Sequence, residues 1–193
     1  MPHINYRDRE IAFKIVYYGP GLSGKTTNLM YIHNILDKDR RGEMLVLDTA
    51  EERTLFFDFF PLELGRIEGY GVRFNMYTVP GQVYYEASRR LILEGADGVV
   101  FVADSQADRL EENIASFRML QENLDRFGVQ WNQHPLVLQY NKRDLPDVLA
   151  LGTLEQELSL NGIPTFEAVA TSGVGVMETI RVASRRVIEK FQL

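Results

Sequence analysis

Gly19-Pro20-Gly21-Leu22-Ser23-Gly24-Lys25-Thr26 fits G-x-x-x-x-G-K-[ST], the spacing of a phosphate-binding loop. Such a loop wraps a phosphate chain, so its backbone N–H groups turn inward and form an anion nest. Gly19, Gly21 and Gly24 accept the backbone angles of that wrap and keep Cβ atoms clear of the phosphates. Leu22 and Ser23 complete the wrap. Lys25 brings a point charge to the terminal phosphates, Thr26 offers a hydroxyl to Mg²⁺, and Thr27 follows at the positive end of the next helix. Upstream, Ile11 to Tyr18 is an apolar, partly β-branched run that reads as a buried strand. Downstream, Thr27 to Leu36 carries Leu29, Ile32 and Leu36 on one helical face. Strand, glycine-rich loop and helix together set the motif apart from a chance glycine turn. The loop alone does not separate ATP from GTP.

The rest of the chain alternates strand-like and helix-like segments, which predicts an α/β layered fold. Met44 to Leu47 is a short extra strand. Leu62 to Val79 reads as two extended runs turning at Gly69-Tyr70-Gly71. Val83 to Leu93 is helical, and Gly98 to Ala103 is a strand apolar on both faces, as an interior parallel strand is. Leu110, Ile114, Phe117, Leu120, Leu124 and Phe127 stripe a helix over Asp108 to Phe127. Leu136 to Tyr140 and Phe166 to Ala170 are further strands, Thr153 to Leu160 a short helix, and Met177 to Phe191 a C-terminal helix. The expected sheet is mostly parallel with one antiparallel hairpin edge, and ligands belong at the C-terminal strand ends.

The 193 residues read as one domain, 1–193, without repeat or linker. A net charge of −6 argues against nucleic-acid binding. With no cysteine the chain forms no disulfide, zinc–thiolate site or lipidated cysteine, and Met1-Pro2 lacks the glycine for myristoylation. The expectation is a cytoplasmic protein that reaches a membrane or a cell pole only through partners.

Asn141-Lys142-Arg143-Asp144 follows a buried strand and has the N-K-x-D pattern. A carboxylate at Asp144 accepts hydrogen bonds from guanine N1–H and the 2-amino group. Adenine has no donors on that edge and would leave the carboxylate unpaired, which is where polar discrimination becomes large. Lys142 covers the base face with its stem, and Asn141 braces the loop. Ala170-Thr171, after the last strand, is a candidate for a backbone N–H to the guanine oxygen, though a simple strand-to-helix loop explains it almost as well.

Phosphate loop, Thr78-Val79-Pro80-Gly81-Gln82 and N-K-x-D, in that order, resemble a Ras-type small GTPase. Tyr17 to Leu22, Arg53 to Phe59, Tyr77 to Val83 and Gln139 to Pro146 are similar to the bacterial MglA-type GTPases, and the resemblance covers essentially the whole chain. It implies a three-layer P-loop fold and a GTP/GDP switch for cell polarity and surface motility. It also implies a roadblock-domain homodimer, MglB, as activating partner, alongside polarity or motility effectors. Within it, Gln82 positions the attacking water, Gly81 lends a backbone N–H to the γ-phosphate, and Thr54 joins Thr26 at the metal. Arg53 is an arginine finger in cis, since the family places its own arginine there; otherwise it is an ordinary surface arginine after Glu51-Glu52. Thr78 replaces the usual D-x-x-G aspartate, as it does in the MglA branch, and Asp58 is one guess for a substitute carboxylate. Four of the 11 phenylalanines fall within residues 56–60; they read as a core strand or as a segment that shifts with the nucleotide, with a register slip in the hairpin. A scaffold that binds effectors with incidental hydrolysis is the competing function. His3, His33 and His134 lack metal-like spacing, Lys38 to Arg41 reads as a solvated loop, and Trp131 either caps the core or marks a partner surface.

Overall fold

The structure, a computed structural model, describes residues 2–37, 41–46, 58–81 and 85–192. Among the described residues, eight strands form a single sheet in the order β3-β4-β5-β2-β6-β7-β8, with β1 beside the start of β2. The strands are β1 His3–Asn5, β2 Glu10–Tyr18, β3 Leu45–Val46, β4 Asp58–Ile67, β5 Tyr70–Thr78, β6 Gly98–Asp104, β7 Leu136–Asn141 and β8 Thr165–Glu167. The helices are α1 Lys25–Ile35, α2 Glu86–Leu93, α3 Leu110–Arg126, α4 Thr153–Glu157 and α5 Val176–Gln192.

β5, β2, β6, β7 and β8 run parallel. The expected hairpin is β4–β5, with a register irregularity between Glu63 and Gly65. Antiparallel pairing is more extensive than one hairpin: β3 pairs with β4, and β1 pairs with β2. The N-terminal strand was not legible because three mixed residues have no period. Asn5 supplies its stop, its Oδ1 accepting from the N–H groups of Arg7 and Asp8 at 3.1 and 3.2 Å, an Asx turn that returns the chain into β2.

Alternation along the parallel strands divides the core into two faces. Phe13, Ile15 and Tyr17 of β2, Val100 and Val102 of β6 and Val137 of β7 pack under α1 and α5 against Leu29, Ile32, Ile180 and Val187. Val16, Tyr18, Phe101, Leu138 and Tyr140 pack on the other face against α2, α3 and α4. This is the predicted three-layer α/β architecture. Trp131 settles as a core cap, its ring edge-on to Phe117 at 5.9 Å. Residues 38–40 lie outside the described residues, but Arg41 is not a free loop residue: it bridges to Leu62 and its guanidinium donates to the His33 carbonyl.

Candidate functional site

The loops that follow β2, β5, β6, β7 and β8 all emerge at the C-terminal ends of the parallel strands. The phosphate loop leaves β2 at Tyr18, turns between Pro20 and Ser23, where the Ser23 N–H donates to the Pro20 carbonyl at 3.4 Å, and enters α1 at Lys25. Gly24 is the N-cap of α1, at φ 96° and ψ 23°. A side chain there would be strained in this left-handed backbone, and its Cβ would collide with the Asn141 amide. Lys25 is buried, and its Nζ donates to the carbonyls of Gly19 (3.0 Å) and Pro20 (2.7 Å), which keeps the ammonium inside the loop. Thr26 is exposed at the first turn of α1. Gly81 lies against the phosphate loop so closely that a Cβ on it would run into the Gly21 backbone. At Gly81 the loop after β5 therefore meets the loop after β2 main chain to main chain.

The N-K-x-D segment sits where the sequence places it. Asn141 ends β7, is buried, and does what a bracing residue requires. Its Nδ2 donates to the Ser23 carbonyl at 2.8 Å, and its Oδ1 accepts from the Ala170 N–H at 2.9 Å. One amide thus ties the phosphate loop to the loop after β8. Lys142 has φ +66°, an uncommon left-handed backbone for a non-glycine residue that turns the chain out of the strand. Its Nζ pairs with Asp104 Oδ2 at 2.5 Å.

Asp104, at the end of β6, is almost fully buried. It is held from behind by Asn113, which accepts from the Asp104 N–H and donates to its carbonyl. Asp104 is a site residue the sequence reading missed. A lone carboxylate closing a seven-residue buried strand was its signal. Arg109 is a second, donating to the Gly21 carbonyl at 3.4 Å.

Leu22, Gly24, Thr27, Asn141, Lys142, Asp144, Ala170 and Thr171 all border one cavity of about 210 Å³. Asp144 is exposed at its edge, so its carboxylate is open to a ligand and is not sealed in the protein. The Ala170 N–H is committed to Asn141, and Thr171, the next residue, borders the same cavity. Arg53, Thr54 and Gln82 lie outside the described residues. Asp58 begins β4 opposite Val46. Thr78 is buried at the end of β5, in register with Tyr17.

A cavity beside the phosphate loop, with Asp144 on its edge, lies where the N-K-x-D pattern would place a guanine base. The sequence profile of the ADP-ribosylation factor family matches residues 4–191. The chain is 52% identical over 192 residues to the mutual gliding-motility protein MglA of Myxococcus xanthus, covering 100% of this chain and 98% of that protein. The chain belongs to the ADP-ribosylation factor family, as an MglA-type small GTPase. It is also 32% identical over 161 residues to ADP-ribosylation factor-like protein 2 of Drosophila melanogaster, 82% of this chain and 76% of that one. With the bovine ADP-ribosylation factor-like protein 4D it shares 28% identity over 109 residues, 56% of this chain and 52% of that one. Membership carries the activity: the protein binds GTP and GDP and hydrolyses GTP, as a GTPase switch. Among the described residues no helix is long and apolar enough to cross a membrane.

Proposed function

We propose that this GTPase is a Mg²⁺-dependent switch for cell polarity and gliding motility, stimulated by a roadblock-domain homodimer of the MglB type. The observation that carries the reading is the 52% identity to MglA along the whole chain. The metal is Mg²⁺, which takes hard oxygen ligands and keeps several waters. Thr26, an exposed residue at the start of α1, carries a hydroxyl that fits that chemistry, and Thr54 is its proposed companion. The ion, when bound, neutralises charge on the β- and γ-phosphate oxygens. Thr78 brings a hydroxyl where the wider pattern has a carboxylate, which leaves Thr26 and Thr54 a larger share of the metal site.

In the proposed mechanism the chain's own groups divide the work. The phosphate-loop N–H groups and Lys25 hold the phosphates. Thr171 supplies the N–H for the guanine oxygen and Asp144 accepts from the base's N–H edge. Gln82 orients the attacking water, the Gly81 N–H faces the γ-phosphate, and Arg53 stabilises charge developing between the β- and γ-phosphates. A correctly placed arginine of this kind is worth roughly 10³–10⁵ in rate. The partner accelerates hydrolysis by ordering the segment that carries Arg53 and Thr54. The protein acts in the cytoplasm and reaches a pole through partners.

The test is turnover with GTP or ATP, with and without an MglB-type dimer, for the parent and for Arg53→Ala and Gln82→Ala. The variants should bind GTP and lose stimulated turnover. Parental rates in both overturn the catalytic pair, and equal competition by ATP overturns the role of Asp144.

A further inference from the structure

Gln139 sits in the middle of β7, two residues before Asn141 and on the same face, under α1 and α5. Val137 of the same strand and Leu29, Ile32 and Ile180 of the covering helices belong to the apolar core of that face. An amide there is costly unless it is bonded. Gln139 Nε2 donates to Asn28 Oδ1 at 3.1 Å and to Thr179 Oγ1 at 3.0 Å. All three residues are 0% exposed. Asn28 passes the connection on: its Nδ2 and its backbone N–H both donate to the Gly24 carbonyl at 3.0 Å. Thr179 passes it the other way, its hydroxyl donating to the Gly175 carbonyl at 2.7 Å.

Two consecutive peptides of the phosphate loop are therefore held by two side chains of one strand. Asn141 holds the Ser23 carbonyl directly, and Gln139 holds the Gly24 carbonyl through Asn28. The far arms run in parallel too, Asn141 to Ala170 and Gln139 through Thr179 to Gly175, at either end of the loop after β8. Both far ends of the strut, the Gly24 and Gly175 carbonyls, already accept backbone N–H groups, from Asn28 and Thr179, so the side chains are not needed to satisfy them. What the side chains add is a link between the two loops.

We propose that Asn28, Gln139 and Thr179 are positioning residues for nucleotide binding, a strut that locks the Gly24 peptide to the loop after β8 and slows release of guanine nucleotide. The proposal rests on the cavity beside Asp144 being the base site. The strut touches no reacting atom, so it acts on nucleotide retention and leaves the hydrolytic step alone.

The test compares three proteins with the parent: Asn28→Leu, the triple replacement Asn28→Leu/Gln139→Leu/Thr179→Val, and Asp144→Ala. Readouts are release of a fluorescent GDP analogue, single-turnover GTP hydrolysis and the urea midpoint. The triple replacement removes every polar side-chain atom of the strut, and the urea midpoint reads any change in stability separately. It should release GDP about tenfold faster than the parent, the effect of one lost hydrogen bond. Single-turnover hydrolysis should stay within about twofold of the parent, because only binding is altered. Release at the parental rate overturns the proposal. If the triple replacement does not fold, Asn28→Leu decides by the same release criterion, since it cuts only the Gly24 arm. Asp144→Ala should lose guanine preference whatever the strut does, so an error in the base site shows in that arm alone.

Discussion

Asn141→Ala is the sharpest perturbation of the site, because its consequences can be counted. The side chain is 2% exposed and makes two bonds, donating to the Ser23 carbonyl and accepting from the Ala170 N–H. Truncation strands both backbone groups. A buried polar group left without its partner costs about 1–3 kcal/mol, so the two together cost about 2–6 kcal/mol. Part of that falls on folding. The remainder falls on binding, because the freed loops must be re-ordered around each nucleotide. At 1.4 kcal/mol per factor of ten, a share of about 3 kcal/mol lowers GDP affinity roughly 10²-fold. The assay is equilibrium titration with a fluorescent GDP, beside a urea melt that separates the folding share. Asn141→Asp sharpens it. A carboxylate still accepts from Ala170 but faces the Ser23 carbonyl with no donor, so it should bind no better than alanine. An aspartate variant with parental affinity, or an alanine variant within about twofold of the parent, would refute the reasoning from these two bonds.

Other outcomes follow from the same geometry. Asp144→Asn reverses one acceptor into a donor and should lose GDP binding by roughly two orders of magnitude while gaining relative affinity for xanthine nucleotides, read by competition titration. Gly24→Ala meets both a left-handed backbone and the Asn141 amide, and should cost about 1–3 kcal/mol of stability in urea melts of the nucleotide-free protein. His134 is buried, and that burial, with Lys190 nearby, lowers its pKa from 6.5 to about 4. The folded state thus disfavours the proton, so its contribution is whole above pH 6.5 and is lost as the pH falls towards 4. The loss amounts to about 3 kcal/mol, and His134→Gln should flatten that part of the stability–pH curve relative to the parent.

The parts of this molecule that the sequence displays are those in which one local rule dominates. The phosphate loop, the N-K-x-D turn, the buried strands β2, β6 and β7 and the striped helix α3 each announce themselves by spacing or period. What it conceals is what depends on distant partners. β8 was expected over Phe166 to Ala170 and ends at Glu167, because the Ala170 N–H leaves the ladder for the Asn141 side chain. The helix expected from Asp108 begins at Leu110, after a tight turn over Ala107–Arg109. α1 starts at Lys25, two residues before the apolar stripe suggests, because the phosphate loop itself provides its cap. Asp104 and Gln139 are the hardest kind. Each is a polar residue of an otherwise apolar strand, Asp104 at its end and Gln139 within it, and only the fold shows that Lys142 or Asn28 is waiting for it.

The topology also bears on how a switch and a base site coexist in so small a sheet. The loops proposed to read the base follow β7 and β8, in the parallel half. The region between α1 and β5 includes β3 and β4, which among the described residues pair with each other, with β5 and with Arg41 and Gly42. Among the described residues, β4 meets the parallel strands through β5. A slip of β4 along β5 would exchange its inward and outward side chains. It would leave the β2–β6–β7 ladder, and with it the Asn141 brace, unbroken. The irregularity between Glu63 and Gly65 marks where the β4–β5 register already departs from regular pairing. A GDP-bound and a GTP-analogue-bound structure should therefore differ in β4 register while the Ser23, Asn141 and Ala170 contacts superpose. Identical registers between Leu62 and Val79 would sink the slip, and a broken Asn141 brace in either state would sink the division of labour between the two halves.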